Sequence, residues 1–289
     1  VATVDDLNAA PNAEQARYWT EDAGPSWVRD EIVYDTMLAP FNQVLLDALD
    51  PQPGERVLEV GCGFGSTALA LASLGVTVHG VDIAAPMIQR AEARASAAGA
   101  AITFAVGDAQ EDLLGGPFDA VTSRFGVMFF ADPARAFRNF ARATRPGGRL
   151  AFVCWQSLER NPWMNAASNV LRGLLDDPPP PAPPGAGPFA FADTDFVSRV
   201  LAEAGWSAVS FESCETTVRM GGEGGIIGAV NQALGSSAAR ALLDAGDATL
   251  RERAAAILEA EFTATSVDGS VSVPAAVWLA RGQAGPTAR

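Results

Sequence analysis

The stretch "LEVGCGFGSTALAL", residues 58–71, runs from an apolar strand through three alternating glycines into a helix rich in alanine and leucine. Glycine at a strand-to-helix turn tolerates positive φ and lets the backbone approach a ligand closely. In a doubly wound α/β sheet such a turn lies beyond the carboxyl ends of the strands, where adenosine-bearing ligands sit. The dinucleotide fingerprint G-x-G-x-x-G asks for Gly or Ala at position 66, and this chain has Ser66. The loop by itself does not choose the ligand.

Working outward, "DPQPGERVLEV" supplies a turn and a strand at 56–60, and a helix over 66–74 stops at Gly75. "VTVHGVD" at 76–82 reads as a second strand, followed by a helix from Pro86 to Gly99. "AITFAVGDA" and "FDAVTSR" are the third and fourth strands. Asp132-Pro133 opens another helix, and "RPGGRL" turns the chain into a fifth strand, "LAFVCW". Continuously apolar strands alternating with helices indicate a mostly parallel sheet covered on both faces, an α/β doubly wound fold. Beyond residue 155 the pattern loosens. "DDPPPPAPPGAGPF" (176–189) reads as an extended surface loop within an insertion. A helix "TDFVSRVLAEAG" and a strand "WSAVSFESCETTV" follow. Residues 221–265 look helical, with Leu250, Ala254, Ile257 and Leu258 on one face, and "SVSVPAAVWLARG" is a closing strand.

Composition removes several function classes. The net charge of −14 opposes nucleic-acid binding, which needs clustered cations. All 20 basic residues are arginine, so a Schiff-base lysine, a Walker lysine and a pyridoxal anchor are excluded together. One histidine, His79, gives no His-pair metal site, and it lies inside a strand where a structural role is expected. Cys62, Cys154 and Cys214 have no metal-ligand spacing and read as reduced and buried. No apolar run is long enough to span a membrane, and "VATVDDLNAAPNAEQ" carries no secretory signal, so a cytoplasmic location is expected.

Four features discriminate among the adenosine-bearing ligands. Glu59 stands two residues before Gly61, where a carboxylate suits an ammonium group and would repel a pyrophosphate. Asp82 ends the second strand, where it can accept from both ribose hydroxyls. "GDA" at 107–109 places Asp108 to accept from an adenine amine, and "RPGGRL" precedes the fifth strand.

With these residues in hand, the chain resembles the Rossmann-like (class I) S-adenosylmethionine-dependent methyltransferases, particularly the ubiquinone and menaquinone C-methyltransferase group. The resemblance is carried by "VLEVGCGFGS", "VHGVDIAAPMI", "VGDAQ", "FDAVTSRFGVMFF" and "FARATRPGGRLAFV", in order over about 57–153. It implies a seven-stranded sheet with a reversed last strand and S-adenosylmethionine as cofactor, leaving S-adenosylhomocysteine. Gly61, Gly63 and Gly65 would pass under the methionyl part, with Glu59 steadying its amino group through backbone or water. Asp82 would hold the ribose, Ile83 and Met87 would pack near the adenine, and Asp108 and Ala109 would contact the base. Ser123, Arg124 and Trp27 would also face the cofactor. Ala84 departs from the small hydroxyl residue the family often has there, at the cost of a helix cap of about 1 kcal/mol. The implied organisation is a single catalytic domain over 1–289. It comprises N-terminal lid helices in 1–50, a cofactor-binding core at 51–155, and insertions at 156–192 and 220–266 forming a helical acceptor cap.

Methyl transfer from a sulfonium is an in-line displacement that depends mainly on placing the acceptor in a dry pocket. The catalytic residue is unknown from sequence; Tyr18, Tyr34, Asp30 and Glu31 are the candidate bases. Tyr18, Trp19, Phe125, Met128, Phe129, Trp155 and Trp163 are the expected acceptor wall, suited to an aromatic or apolar small molecule. Carbon, nitrogen and oxygen all stay open as the methylated atom, and the resemblance tilts towards carbon. Glu212 and Glu215 are expected to face solvent. An NAD-dependent oxidoreductase and a non-catalytic cofactor-binding module are the alternatives. No metal, nucleic-acid partner or membrane span is expected, and the oligomeric state stays open.

Overall fold

The computed structural model describes residues 11–181 and 187–286. Five strands run parallel: β1 (Arg56–Val60), β2 (Thr77–Asp82), β3 (Ile102–Val106), β4 (Phe118–Arg124) and β5 (Thr144–Trp155). Their apolar side chains are covered on both faces, and Val57, Leu58, Ala120, Phe152 and Val153 have essentially no exposure. β7 (Val271–Ala284) enters antiparallel between β5 and β6 (Trp206–Met220), giving the order β3-β2-β1-β4-β5-β7-β6. Strand order reverses between β1 and β4, which opens a crevice at their carboxyl ends.

The first half follows its sequence signals closely. α4 (Ser66–Ser73) ends just before Gly75, which takes φ +80°. α5 (Ala85–Ala98) ends on Gly99 in the left-handed region, and Ala84 at its start makes no side-chain cap. α6 (Pro133–Ala143) is capped by Asp132, whose carboxylate accepts from the Arg135 N–H at 2.9 Å. Before the sheet come α1 (Ala13–Arg17), a π-helical turn at Tyr18–Asp22, α2 (Gly24–Arg29) and α3 (Glu31–Leu49). α3 buries Met37, Leu38, Phe41, Leu45 and Leu49, one stripe at helical spacing, and lies across β4 and β5.

The second half adds α7 (Ala166–Leu174), α8 (Thr194–Glu203), α9 (Gly225–Leu234), α10 (Ser237–Asp244) and α11 (Leu250–Thr265). Leu171, Val230, Leu234, Leu242 and Leu258 gather α7, α9, α10 and α11 around a core separate from the main one.

Several expectations need correction. On α11 the buried stripe is Leu250, Ala254, Leu258 and Phe262, strictly four apart, and Ile257 is 39% exposed. "RPGG" does not precede β5 but lies within it, where Thr144 pairs with Phe118 ahead of a register shift. Cys62 and Cys154 are buried, whereas Cys214 is half-buried on the outer strand β6; all three are free thiols. Glu212 and Glu215 face solvent as expected, in ion pairs with Arg281 and Arg160. The proline-rich stretch is mostly exposed over 176–181, whereas Pro188 and Phe189 are half-buried and Gly187 and Pro188 line the cavity described below. Its 182–186 portion lies outside the described residues, as does the 1–10 part of the signal-peptide reading. No described helix is long and apolar enough to cross a membrane.

Candidate active site

A cavity of about 500 Å³ lies over the carboxyl ends of β1, β2 and β4, roofed by α1–α3 and by the α9–α10 connection. Its floor is the loop after β1. Gly61 takes φ +65°, and a Cβ built there would stand 2.8 Å from the Gly126 Cα, so this loop and the one after β4 touch backbone to backbone. Gly63, at φ +52°, has no protein atom within 4 Å of where a Cβ would lie, and it faces the cavity. Gly65 does not line the cavity. It precedes α4 at φ +81°, and a Cβ there would press on Phe104 and Ala91, so it serves helix–sheet packing.

Three acidic side chains stand at the strand ends. Asp82 Oδ2 accepts from the Gly63 N–H at 2.8 Å and Oδ1 from the Ala84 N–H at 2.9 Å. Each oxygen keeps a further acceptor site, because a carboxylate offers about four. Burial raises the Asp82 pKa, and those backbone donors work against the rise. Glu59 is 1% exposed, lines the cavity, and its Oε2 has no hydrogen-bond partner among the described residues. Burial pushes its pKa up to about 8, only partly offset by the nearby Arg124 guanidinium. Asp108 takes both of its oxygens to the Asn12 amide, at 3.0 and 2.9 Å, and Oδ1 also accepts from the Gln110 N–H at 2.9 Å. Asn12 Oδ1 in turn accepts from the Ala131 N–H at 2.8 Å. The N-terminal segment is thereby pinned against the end of β3, over the position expected for adenine.

Ile83, Met87, Ala109 and Arg124 line the same cavity. Arg124 donates to the Leu38 carbonyl at 3.3 Å, while burial lowers its pKa against the pull of Glu59 and Asp35. Ser123 was expected to face the cofactor but is a staple outside the cavity. Its Oγ donates to the Val60 carbonyl at 2.7 Å and accepts from the Gly126 N–H at 3.2 Å. Ser66, awkward for a dinucleotide, donates to Asp35 and accepts from Arg94, which joins α3, α4 and α5.

Two flat aromatic pairs form the rest of the wall. Trp27 stacks on Tyr34 with centroids 3.9 Å apart and planes 6° apart. Phe125 stacks on Trp155 at 4.3 Å and 12°. Trp19 meets Trp27 and Phe129 edge-on, Tyr18 meets Trp19, and Trp163 meets Trp155. Phe125 takes φ +64°, an unusual value for a bulky residue, and one that sets its ring against Trp155. Every residue expected for the acceptor wall, Met128 included, lines the cavity.

Of the candidate bases, Tyr18 and Tyr34 line the cavity, and burial pushes the Tyr34 phenol up to about 12. Asp30 and Glu31 do not line it; they pair with Arg29 and Arg90. His79 is half-buried in β2, away from the cavity, and burial lowers its pKa. Sequence reasoning missed Asn12, Gln15, Met37, Met164, Gln232 and Arg240, all of which line the cavity. Asn12 stands at the N-cap position of α1 and the others sit on helical turns that only tertiary packing brings together, so no local motif marks them.

A parallel sheet with a reversed β7, a glycine loop after β1 and carboxylates ending β1 and β2 define a Rossmann-like, class I methyltransferase fold. Residues 58–152, about a third of the chain, match the family model for a methyltransferase domain. An uncharacterized protein of Mycobacterium tuberculosis is 34% identical over 125 residues, which is 43% of this chain and 46% of that protein. The match therefore spans less than half of that relative's length. Demethylmenaquinone methyltransferase of Paenarthrobacter aurescens is 25% identical over 203 residues, covering 67% of this chain and 79% of the relative. Among solved structures, magnesium protoporphyrin IX methyltransferase from Synechocystis with bound S-adenosylhomocysteine superposes with a TM-score of 0.52 at 18% identity. That superposition covers 72% of this chain and 93% of the other.

Proposed function

We propose that this protein transfers a methyl group from S-adenosylmethionine to a small, planar or apolar acceptor. The observation that carries the reading is Glu59: a fully buried carboxylate in the cavity wall with one oxygen unpartnered among the described residues. An unmet buried acceptor of this kind costs about 1–3 kcal/mol unless a ligand supplies the donor. The ammonium group of the donor's methionyl part is such a group, whereas a pyrophosphate beside Glu59 would be repelled.

The other residues fit the same ligand. Gly63 leaves open space where a side chain would block the methionyl chain. Asp82 has acceptor capacity left for the ribose hydroxyls after binding Gly63 and Ala84. Met87 and Ile83 supply apolar cover for a purine, with Asp108 and Ala109 at its edge. When bound, the sulfonium supplies an already activated methyl group. The residues of this chain then have three tasks: holding the donor, excluding water and presenting the acceptor. Trp19, Trp27 and Tyr34 exclude water from above, while Phe125, Trp155 and Trp163 give a flat surface for the acceptor. Segment 1–50 acts as the lid in this reading, and the helices within 156–192 and 220–266 act as the acceptor cap. Carbon stays the favoured target on resemblance, with oxygen and nitrogen open.

Incubating the full chain with methyl-labelled S-adenosylmethionine and pools of aromatic and apolar acceptors tests this. Label in an extractable small molecule is the expected result. Cofactor binding with no transfer to any pool would favour a non-catalytic module instead.

A further inference from the structure

The cavity is lined by three carboxylates and two arginines, and one of these, Arg124, stands at the end of β4 within the field of Glu59. Its three carboxylates, Glu59, Asp82 and Asp108, all stand at the ends of β1, β2 and β3. On the opposite, helical side the lining includes Gln232, Ser236, Ser237 and one cation, Arg240 of α10, and no acid. Arg240 is half-buried, and it makes no ion pair and no side-chain hydrogen bond among the described residues. The ion pairs of the described residues use other arginines throughout, although this chain carries 34 acidic residues to 20 basic ones. A half-buried guanidinium with no partner among the described residues is available to an anionic ligand, which would form a charge-assisted pair with it.

A second observation points the same way. Trp163 Nε1 is a buried donor without an acceptor among the described residues, and it too lines the cavity. Gln232 does not offset this donor excess, since its Oε1 already accepts from the Gly221 N–H at 2.7 Å. Arg240 lines the same cavity as the stacked Trp27–Tyr34 pair. The acceptor half therefore combines flat aromatic walls with one cation and one buried N–H that have no partner among the described residues.

We infer that the acceptor is a planar aromatic or conjugated molecule carrying an anionic oxygen group, with Arg240 as its counter-ion and the Trp163 indole N–H as a second donor. This rests on the methyltransferase reading for which half of the cavity receives the acceptor; the anion site itself does not. Arg240 is here a specificity-determining residue, and no role at the reacting atoms is assigned to it.

The test is isothermal titration of the full chain with naphthoate and with its uncharged amide, naphthamide, both with S-adenosylhomocysteine at saturation. Naphthoate should bind at least about tenfold more tightly, in line with a charge-assisted pair. Arg240→Gln should bring the two within about twofold of each other while leaving S-adenosylhomocysteine affinity unchanged, and Arg240→Lys should keep part of the preference. Equal affinity in the wild type, binding of neither probe, or a preference that survives Arg240→Gln would overturn the inference. If S-adenosylhomocysteine failed to bind but naphthoate kept an Arg240-dependent preference, the donor reading would fall and the anion site would stand.

Discussion

The Gly63 backbone N–H donates to Asp82 Oδ2 at 2.8 Å, so the glycine loop after β1 is tied directly to the acidic end of β2. One carboxylate thus fixes the loop and still offers lone pairs to a ligand. Asp82→Ala should weaken S-adenosylhomocysteine binding by more than about tenfold by isothermal titration, since a charge-assisted acceptor is lost. Unchanged affinity would mean that the ribose lies elsewhere.

Gly61 and Gly63 should respond differently to alanine. At Gly61 a Cβ meets the Gly126 backbone at 2.8 Å, so Gly61→Ala should lower the melting temperature by several degrees. At Gly63 a Cβ meets no protein atom, so Gly63→Ala should cost only the positive-φ penalty of about 1–2 kcal/mol yet abolish cofactor binding. Retained S-adenosylhomocysteine binding in a folded Gly63→Ala variant would place the methionyl chain elsewhere.

Glu59 makes the site respond to pH. Its pKa stands at about 8 rather than the ordinary 4.5, so the ligand-free protein holds a proton that the unfolded chain releases. The Glu59 contribution to stability is therefore present below pH 4.5 and is lost as pH rises towards 8. Pairing with the ligand's ammonium favours the ionised form, so binding at pH 7 should release protons. Titrations in buffers of different ionisation enthalpy should show that release in the wild type and not in Glu59→Gln. Equal release in both would assign the proton to another group.

Asn12 holds both oxygens of Asp108 and the Ala131 N–H. Asn12→Ala leaves a buried carboxylate short of donors and should reduce unfolding free energy in urea by about 1–3 kcal/mol. A change near zero would show that the segment around Asn12 is held by other contacts.

Most of the sheet was legible because buried parallel strands are continuously apolar and their helices begin and end on Pro86, Gly99 and Asp132, residues with fixed conformational preferences. Glu59, Asp82 and Asp108 stand out in the sequence as carboxylates at the carboxyl ends of otherwise apolar strands. Ser123 was misplaced because strand position alone does not say which face a side chain takes, and its Oγ turns back to the Val60 carbonyl. Ile257 was misplaced because its helix buries a strict four-residue stripe, a narrower face than its apolar residues suggest. Asn12 and Arg240 carry no local signal. They reach the cavity only through the packing of α1 and α10, elements distant in sequence from the glycine loop.

Glu59 and Asp82 suit the cavity to a sulfonium amino acid nucleoside rather than a dinucleotide. Side-by-side equilibrium titration of the full chain with S-adenosylhomocysteine and with NADH tests it most directly. Saturable one-to-one binding of S-adenosylhomocysteine, weakened by Glu59→Gln, with no saturable binding of NADH, is the expected result. Preferential binding of NADH, or S-adenosylhomocysteine binding indifferent to both Glu59 and Asp82, would contradict it.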